Sequence, residues 1–523
     1  MLQRIEDRME TGDPWDMIII GGGATGVGIA LDAASRGHDV VLLEQSDLGK
    51  GTSSRSTKLV HGGVRYLQQG NVPLVMEALK ERGILRRNAP HLVRDLPFIV
   101  PNYRWWEAPF YGVGMRVYDV LAGKYGFGKS RNLSVEETVE RIPTIETEGL
   151  RGGVMYHDGQ FDDARLLIHL AMTAAEQGAV LLNYAPVTAI TKDDDGFVAG
   201  VVARDTASGR DLEIRGRAVV NATGAFADGV RVMDEPGAAP IIRPSQGVHI
   251  VLDRAFLPGE SAIMVPQTDD GRVLFAIPWR DRVVVGTTDT PVEESTLEPR
   301  ALESEIEFLL THASRYLTRD PTLEDVLSVF AGIRPLVAEV EADDTSEISR
   351  EHALRVSASG MLTIAGGKWT TYRKMAEDAV DAAETLGDLD PGRCVTAELS
   401  IHGYHQDADR FGSLAVYGSD ALRVRELARD EPELSERIHE RLELTGAEVV
   451  WACREEMAHT VDDVLARRSR ALVFDARAAM EAAPAVAALM ARELGRDDAW
   501  ISEEVTSFRD IADGYLPVGR PLT

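Results

Sequence analysis

Two segments of the chain contain no aspartate or glutamate, although acidic residues are frequent elsewhere. The first runs from Leu48 to Met76 and the second from Val356 to Ala376, and both hold lysines and arginines among glycine and hydroxyl residues. Such segments can bind anions, because cationic side chains and the backbone N–H groups of glycine loops donate hydrogen bonds to phosphate. The alternative is that acidic residues are missing from these segments by chance, or because tight turns exclude their bulky side chains. The glycine and hydroxyl content favours anion binding.

A glycine-rich sequence, GGGATG at positions 21–26, lies between an apolar run and a helical pattern that stops at Gly37. This order predicts a strand, a tight turn and a helix whose N-terminus points at a pyrophosphate. A second apolar run ends at Glu44, where a carboxylate can accept the ribose hydroxyls of a dinucleotide. A purely structural glycine turn is the alternative. The residues predicted to bind the dinucleotide here are Gly21, Gly23, Ala24, Thr25, Gly26 and Glu44.

FAD and NAD share this pattern, and two later segments favour FAD. Residues 217–224 and 361–371 each read as a buried strand that opens into a glycine turn. The second turn leads into a helix start, which would place a positive dipole near the flavin ring and stabilise the negative charge that builds on the reduced flavin. The residues predicted to bind FAD in these segments are Ala222, Gly224, Gly366, Gly367, Lys368, Trp369 and Thr370.

Several longer motifs carry a family resemblance: HGGVRYL from position 61, SQGVHIVL from 245, GIRPL from 332 and GGKWTTYRKM from 366. With the glycine fingerprint they span about residues 16 to 385, and on them the chain resembles the FAD-dependent glycerol-3-phosphate dehydrogenases of the D-amino-acid-oxidase-like superfamily. The resemblance implies oxidation of sn-glycerol 3-phosphate to dihydroxyacetone phosphate, with a hydride passed to flavin N5 and electrons to a quinone. It also favours assigning Thr52, Ser53, Ser54 and Lys58 to FAD.

The resemblance further implies roles at the substrate. His249 matches the proposed general base, and Arg334 the arginine that stabilises an incipient alkoxide. A histidine inside a strand is otherwise a core residue, and Arg334 could be a structural ion-pair partner. The residues that match the phosphate site are Arg65, Tyr66, Lys368 and Arg350. Packing of Tyr66 on the flavin remains an alternative.

One departure and one missing block refine the resemblance. Trp369 stands where family members often carry an aliphatic residue. The chain lacks an inserted block typical of the oxygen-using glycerophosphate oxidases, which favours a dehydrogenase. The alternatives that stay open are the oxidase, a flavoenzyme acting on an amino acid or a 2-hydroxy acid, and a noncatalytic flavin-binding protein.

Composition limits the partners. The formal charge of −28 over 523 residues opposes broad, nonspecific contact with nucleic acid or anionic lipid. Two distant cysteines predict neither disulfides nor a metal site. No apolar run reaches the roughly 18 to 20 residues that span a bilayer. We therefore expect a protein in the cytoplasm, or peripheral on the inner membrane face, and a homodimer. The aromatic segment 103–118 is compatible with either core packing or a membrane interface.

Patterning predicts an α/β fold in which a discontinuous Rossmann-like FAD-binding domain is interleaved with a mixed β-sheet substrate domain, followed by a small helical C-terminal domain. The expected boundaries are an extension at 1–15, an oxidoreductase domain at 16–390 and the helical domain at 391–523. The FAD-binding parts are predicted at about 16–90, 150–240 and 325–385, and the substrate-domain parts at about 91–149 and 241–324.

Overall fold

The computed structural model describes residues 1–68, 70–269, 271–337 and 352–517, with the side chains of Arg65 and Gln68 left out. These residues form two β-sheets and a helical C-terminal domain, which confirms the predicted fold class. The strands, numbered β1 to β18 in chain order, are Trp15–Ile20, Val40–Leu43, Leu59–Val60, Val93–Pro101, Arg131–Leu133, Gly153–Phe161, Val180–Leu182, Val187–Lys192, Val198–Arg204, Asp211–Asn221, Ile242–Asp253, Ala262–Val265, Leu274–Trp279, Arg282–Gly286, Thr290–Pro291, Val326–Val337, His352–Val356 and Leu362–Gly366.

Helices flank both sheets and make up the C-terminal domain. Numbered α1 to α15 in chain order, the α-helices of the described residues are Leu2–Thr11, Ala24–Ser35, Val64–Gln68, Val72–Asn88, Glu107–Ala122, Val135–Arg141, Asp163–Glu176, Ala227–Asp234, Glu303–Ser314, Tyr372–Leu386, Ala421–Asp430, Gly446–Glu455, Ala471–Phe474, Ala476–Leu494 and Asp498–Asp513.

The first sheet has the order β17-β18-β10-β1-β2-β7, and the strands from β18 to β7 run parallel. Parallel strands are covered on both faces, which is why β1 and β2 are continuous apolar runs. Successive side chains alternate between the faces. Met17 and Ile19 pack under α2, α7 and α10, whereas Ile18 and Ile20 pack on the side that holds α1 and Ile5. The predicted extension thus contributes a helix to the core.

The second sheet has ten strands and is mostly antiparallel, and its longest pairing joins β11 to β16. Three of its strands come from segments that the sequence assigned to the FAD-binding parts. β3 and β6 pair with each other and β16 pairs with β11, although all three lie within the predicted FAD-binding parts. Long-range pairing, which local patterning does not encode, decides which sheet a strand joins.

The helical domain packs against the second sheet through one apolar cluster that includes Val251 and Phe330 of the sheet and Leu472 of α13. Buried ion pairs also join it to the first sheet. Asp47 contacts both Arg467 and Arg468, and Arg165 of α7 contacts Glu456. Each buried charge therefore has an opposite charge beside it, as burial requires.

Candidate functional site: two adjoining cavities

A cavity of about 300 Å³ lies at the carboxyl ends of β1, β10 and β18. Open α/β sheets bind ligands at this edge. Most of the residues predicted to bind the cofactor line it: Gly21, Gly23, Ala24, Thr25, Glu44, Thr52, Ser53, Ala222, Gly224, Gly366, Gly367, Lys368 and Trp369. The structure thus brings together three segments that are far apart in the chain.

The glycine turn before α2 is shaped by close backbone approaches. Gly21 has a φ of +110°, and a Cβ at Gly26 would lie 1.9 Å from the carbonyl oxygen of Gly21. Gly26 therefore serves the packing of helix against strand and does not line the cavity. Gly23 and Ala24 do line it, and the Ala24 N–H donates to Ser53 Oγ at 2.9 Å. This leaves a helix N-terminus beside the cavity, where it can bind a phosphate.

Glu44 lies at the end of β2 on the cavity wall. Its carboxylate accepts the N–H of Gly22 at 2.6 Å and the N–H of Ser46 at 2.9 Å. Burial raises the pKa of this carboxyl, and the two backbone donors oppose that shift. Glu44 therefore holds the glycine turn in shape in addition to being placed for a ribose.

Lys58 is placed differently from the sequence prediction. Its ammonium lies outside the cofactor cavity, donating to Asp163 at 2.7 Å and to the carbonyl of Ser54 at 2.9 Å. Complete burial lowers the pKa of Lys58 to about 8, while the pairing with Asp163 opposes the shift. Ser54 and Thr370 also lie off the cavity wall, and Thr370 Oγ1 accepts the N–H of His61 at 3.1 Å. The Lys58 ammonium and the Thr370 hydroxyl are therefore bonded to protein groups outside the cavity.

A second cavity, of about 170 Å³, adjoins the first. The contact that joins them is made by Lys368, which lines the first cavity, and Tyr66, which lines the second. The Lys368 Nζ lies 3.8 Å from the centroid of the Tyr66 ring, a cation–π distance. The polar residues around the second cavity are Thr57, His61, Tyr66, Tyr156, Asp158, Arg272, Thr287, Thr288, Asp289 and Arg334.

Arg334 of β16 lies on the wall of the second cavity. Its guanidinium donates to Asp289 at 3.0 Å and to the carbonyl oxygen of Thr288 at 2.9 Å. A Cβ at Gly247 would lie 2.4 Å from its Nη2, so the guanidinium rests on bare backbone. The side chain is held in one orientation, as a group that stabilises a developing charge requires.

His249 of β11 is buried and does not itself line the cavity. Its ring stacks on Phe330 with centroids 4.7 Å apart, and its Nε2 lies 3.0 Å from the hydroxyl of Thr57. Burial, followed by the charges of Lys58 and Arg334, lowers the pKa of His249 well below its ordinary range. The neutral form of the imidazole is thus favoured, and Thr57 stands between it and the cavity.

Two predicted residues lie outside what the structure describes. Arg350 falls in the undescribed segment 338–351, and Arg65 is described in its backbone alone, as part of α3. Sequence reasoning missed several polar residues of the second cavity, among them Thr57, His61 and Asp289. The first two lie in the first acid-free segment, so that segment was the available signal. Asp289 lies in VVVGTTDT at positions 283–290, one of the motifs on which the chain resembles the family, and that motif was the available signal.

Comparison with known proteins also indicates a FAD-dependent oxidoreductase. A family of FAD-dependent oxidoreductases matches residues 16–373. The C-terminal domain of alpha-glycerophosphate oxidase matches residues 361–501. Together the two matches reach from the first strand into the last helix of the described chain.

Two similar proteins and one solved structure carry the name glycerol-3-phosphate dehydrogenase. The mitochondrial glycerol-3-phosphate dehydrogenase of Homo sapiens is 40% identical over 95% of this chain and 72% of its own length. That of Arabidopsis thaliana is 40% identical over 96% of this chain and 86% of its own length. The crystal structure of a Bacillus halodurans glycerol-3-phosphate dehydrogenase complexed with FAD covers 98% of both chains, with 29% identity and a TM-score of 0.80.

Proposed function

Because the chain belongs to the family of FAD-dependent glycerol-3-phosphate dehydrogenases, we propose that it oxidises sn-glycerol 3-phosphate to dihydroxyacetone phosphate. The observation that carries the proposal is the pair of adjoining cavities, one built for a dinucleotide and one lined by cations and hydroxyls. The residues at the junction, Lys368 and Tyr66, match the substrate site of the family.

The first cavity fits FAD. Its three glycine turns leave room where side chains would project, and Gly366 and Gly367 both have a positive φ. The N-terminus of α2 lies beside the position for a pyrophosphate, and Glu44 beside that for a ribose. FAD bound here would supply the hydride acceptor, since oxidation of a secondary alcohol to a ketone releases a hydride from the carbon and a proton from the hydroxyl.

The second cavity fits a small phosphorylated alcohol. We assign Arg65, Tyr66, Lys368 and Arg350 to the phosphate, which needs several cations and hydroxyl donors. Arg334 is fixed by Asp289 and the Thr288 carbonyl, and from there it would stabilise the alkoxide that forms as the C2 hydroxyl loses its proton. The phosphate contacts would orient the substrate, and Arg334 would place a positive charge beside its C2 hydroxyl.

We assign His249 as the base that takes the proton from the C2 hydroxyl of the substrate. The imidazole is neutral and buried, and its Nε2 faces the Thr57 hydroxyl on the cavity wall. The Thr57 hydroxyl can donate to His249 while it accepts the substrate proton, so the proton would pass through it. His249 then acts as a base without lining the cavity.

We propose a quinone as the electron acceptor, as in EC 1.1.5.3, and we propose that the protein is peripheral on the cytoplasmic face of a membrane. The absence of the oxidase-type inserted block supports a dehydrogenase over an oxidase. None of the described helices is long and apolar enough to cross a membrane. The homodimer expected from sequence stays a prediction.

Anaerobic titration of the flavin tests the reaction. Purified protein reconstituted with FAD is mixed with sn-glycerol 3-phosphate, and loss of the oxidised-flavin absorbance is followed. We expect rapid bleaching with this substrate and slow bleaching with glycerol, which lacks the phosphate. Bleaching by glycine, sarcosine or 2-hydroxyglutarate alone would assign the protein to another flavoenzyme reaction. Reoxidation of the bleached protein by a soluble quinone analogue or by oxygen then distinguishes dehydrogenase from oxidase.

A further inference from the structure

Buried ion pairs join the loop between β2 and β3 to the helical C-terminal domain. The six charged side chains involved, which we call the loop clasp, are Asp47 and Lys50 of the loop and Asp462, Asp463, Arg467 and Arg468 of the domain. We propose that the loop clasp positions the loop for FAD, so that the C-terminal domain determines how tightly the protein retains its cofactor. The proposal rests on FAD binding in the first cavity and does not depend on the substrate reaction.

The loop forms part of the wall of the FAD cavity. Four consecutive loop residues line that cavity: Lys50, Gly51, Thr52 and Ser53. Between β2 and β3 the chain, which is described throughout this segment, forms one short 3-10 turn, Thr52–Ser54. Ligand-binding loops with few backbone hydrogen bonds of their own open readily. The shape of this wall therefore depends on contacts from outside the loop.

Asp47 is the first point at which the domain holds the loop. Its carboxylate is fully buried and accepts both Nη groups of Arg468, at 2.7 and 2.9 Å, in a bidentate pair. Arg467 contacts the same carboxylate through its Nε. Burial alone would raise the pKa of Asp47, but Arg468 and Arg467 outweigh it and lower that pKa to about 2. The carboxylate is therefore ionised at neutral pH and pairs with two cations of the domain.

Lys50 is the second point, and it lies on the cavity wall itself. Its ammonium donates to Asp462 Oδ2 at 3.0 Å, and Arg467 Nη2 donates to the same oxygen at 2.8 Å. Burial and the nearby Arg467 would lower the pKa of Lys50, but Asp462 and Glu298 outweigh them and raise it. A residue of the domain therefore fixes the direction of a cation that borders the FAD site.

The domain contacts the loop through an unusual backbone turn. Residues Asp463–Arg468 form a π-helical turn, and the N–H of Ser469 donates to the carbonyl oxygen of Val464 at 2.8 Å. Within this turn the Asp463 carboxylate accepts Arg467 Nη2 at 2.8 Å. Turns of this kind are rare and occur frequently at functional sites. The irregular backbone coincides with the residues that hold the cofactor loop, which supports a role beyond packing.

The charges of the loop clasp balance, since three carboxylates face three cations. A buried ion pair adds little net stability compared with apolar packing, because both charges lose their hydration. Removing one partner is costly, since it leaves the other charge buried and unpaired. Such pairs can instead specify one geometry over others. We therefore interpret the loop clasp as a device that selects one position of the loop relative to the domain.

A loop that is already in position binds a ligand more tightly than a loop that the ligand must order, because ordering costs conformational entropy. Among the described residues, none after Met375 lines the FAD cavity, so the C-terminal domain does not form its wall. Its contribution to FAD binding would be indirect and would pass through Asp47 and Lys50. Asp462, Arg467 and Arg468 are thus positioning residues for the cofactor.

Release of FAD from the loaded full chain tests the proposal. The holoenzyme is diluted, free FAD is measured in the filtrate at timed intervals, and denaturant unfolding gives the stability of the same samples. The test variants are Asp47→Asn and Asp462→Asn, which keep the side-chain size and remove one charge. The matched control is Asp32→Asn in the last turn of α2. Asp32 is also fully buried, and its carboxylate accepts Arg36 at 2.9 and 2.6 Å away from both cavities.

We expect both test variants to release FAD about tenfold faster than the wild type, and the control to release it within about twofold of the wild-type rate. All three variants should unfold at lower denaturant concentration, since each loses a buried charge. The double variant Asp47→Asn/Arg468→Gln should release FAD about as fast as Asp47→Asn alone, because the two side chains act as one pair. Asp462→Asn leaves the Asp47 contacts in place and gives the result if Asp47→Asn does not fold.

Wild-type rates of FAD release in the test variants, together with a lowered stability, would overturn the proposal, because the loop clasp would then serve folding alone. Release from the control that is as fast as from the test variants would overturn it as well, since any lost ion pair would then have the same effect. A wild-type protein that retains FAD but is not reduced by sn-glycerol 3-phosphate would instead reject the proposed reaction and keep the loop clasp.

Discussion

The Nε2 of His249 lies 3.0 Å from the Thr57 hydroxyl, and of these two residues Thr57 alone lines the substrate cavity. The ring is held by stacking on Phe330, and its neutral form is favoured by burial. In the proposed reaction, His249 would therefore reach the substrate through Thr57, a residue that sequence reasoning did not single out.

His249→Ala should lower the rate of flavin reduction by about 10² to 10⁴, the usual range for a lost general base, and leave FAD content unchanged. Thr57→Val should lower it to a similar extent, because it removes the hydroxyl that passes the proton. Stopped-flow absorbance measures both. His312→Ala, which removes another buried histidine, is the control. A near-normal rate in His249→Ala would make His249 a packing residue, and a near-normal rate in Thr57→Val alone would remove Thr57 from the path.

Arg65→Ala should depress kcat/KM for sn-glycerol 3-phosphate through kcat as well as KM, because the phosphate positions the reacting carbon. The substitution would remove a charge-assisted hydrogen bond that contributes about 1.5 to 3 kcal/mol. Glycerol lacks the phosphate and serves as the matched substrate in steady-state assays. If the variant loses activity equally on both substrates, Arg65 supports the flavin or the fold.

Lys58→Met should destabilise the protein and leave FAD affinity unchanged. The substitution keeps the side-chain volume but removes the buried cation that pairs with Asp163. We expect the free energy of unfolding to fall by about 3 kcal/mol. This is the low end for a broken buried ion pair, because Arg470 also contacts Asp163. Denaturant unfolding and FAD titration measure the two effects. Lys50→Met, at a lysine that lines the cofactor cavity, should instead weaken FAD binding. Weaker FAD binding in Lys58→Met would restore the role predicted from sequence.

Three histidines meet where the cofactor sheet contacts the C-terminal segment. His91 Nε2 lies 3.0 Å from His169 Nδ1, and His402 lies edge-on to His169 at 5.5 Å between ring centroids. Burial lowers the pKa of His91 to about 4 and that of His169 well below its ordinary range. The pKa of His402 is raised, because Asp420 and Glu176 outweigh its burial.

Stability should therefore fall in acid. The unfolded chain takes up a proton on His91 and His169 near pH 6.5, whereas the folded chain resists protonation. The contribution of these two histidines to the free energy of unfolding is therefore present above pH 6.5 and is lost as the pH falls towards 4. Each group contributes at most about 1.4 kcal/mol per pH unit. His402 acts oppositely, and its contribution is lost as the pH rises through its raised pKa.

The measurement is Tm from pH 8 to pH 5 for the wild type and His91→Gln, which cannot titrate. The loss of Tm in acid should be smaller in the variant. His439→Gln, at a histidine outside this cluster, is the control and should follow the wild type. Parallel curves for all three proteins would show that other groups govern acid unfolding.

The sequence by itself determined the cofactor fold, because its signals are local. Each signal depends on neighbouring residues: the glycine turn that begins at Gly21, the carboxylate of Glu44 and the glycine turn at Gly366. The structure gathers all three around one cavity. The spacing of strand, turn and helix dictates this geometry over a few residues. The family resemblance likewise rests on short motifs, and the comparisons confirm it.

The tertiary structure decided which sheet each strand joins and which way each side chain faces. Residues that local sequence treats alike are separated in space: in one short segment Ser53 lines the cofactor cavity, Thr57 the substrate cavity and Lys58 neither. On α5 both sides are apolar, so periodicity could not tell the buried side of Tyr118 from the exposed side of Val117. Burial depends on what packs against a segment, and those neighbours come from distant parts of the chain through contacts that no local pattern encodes.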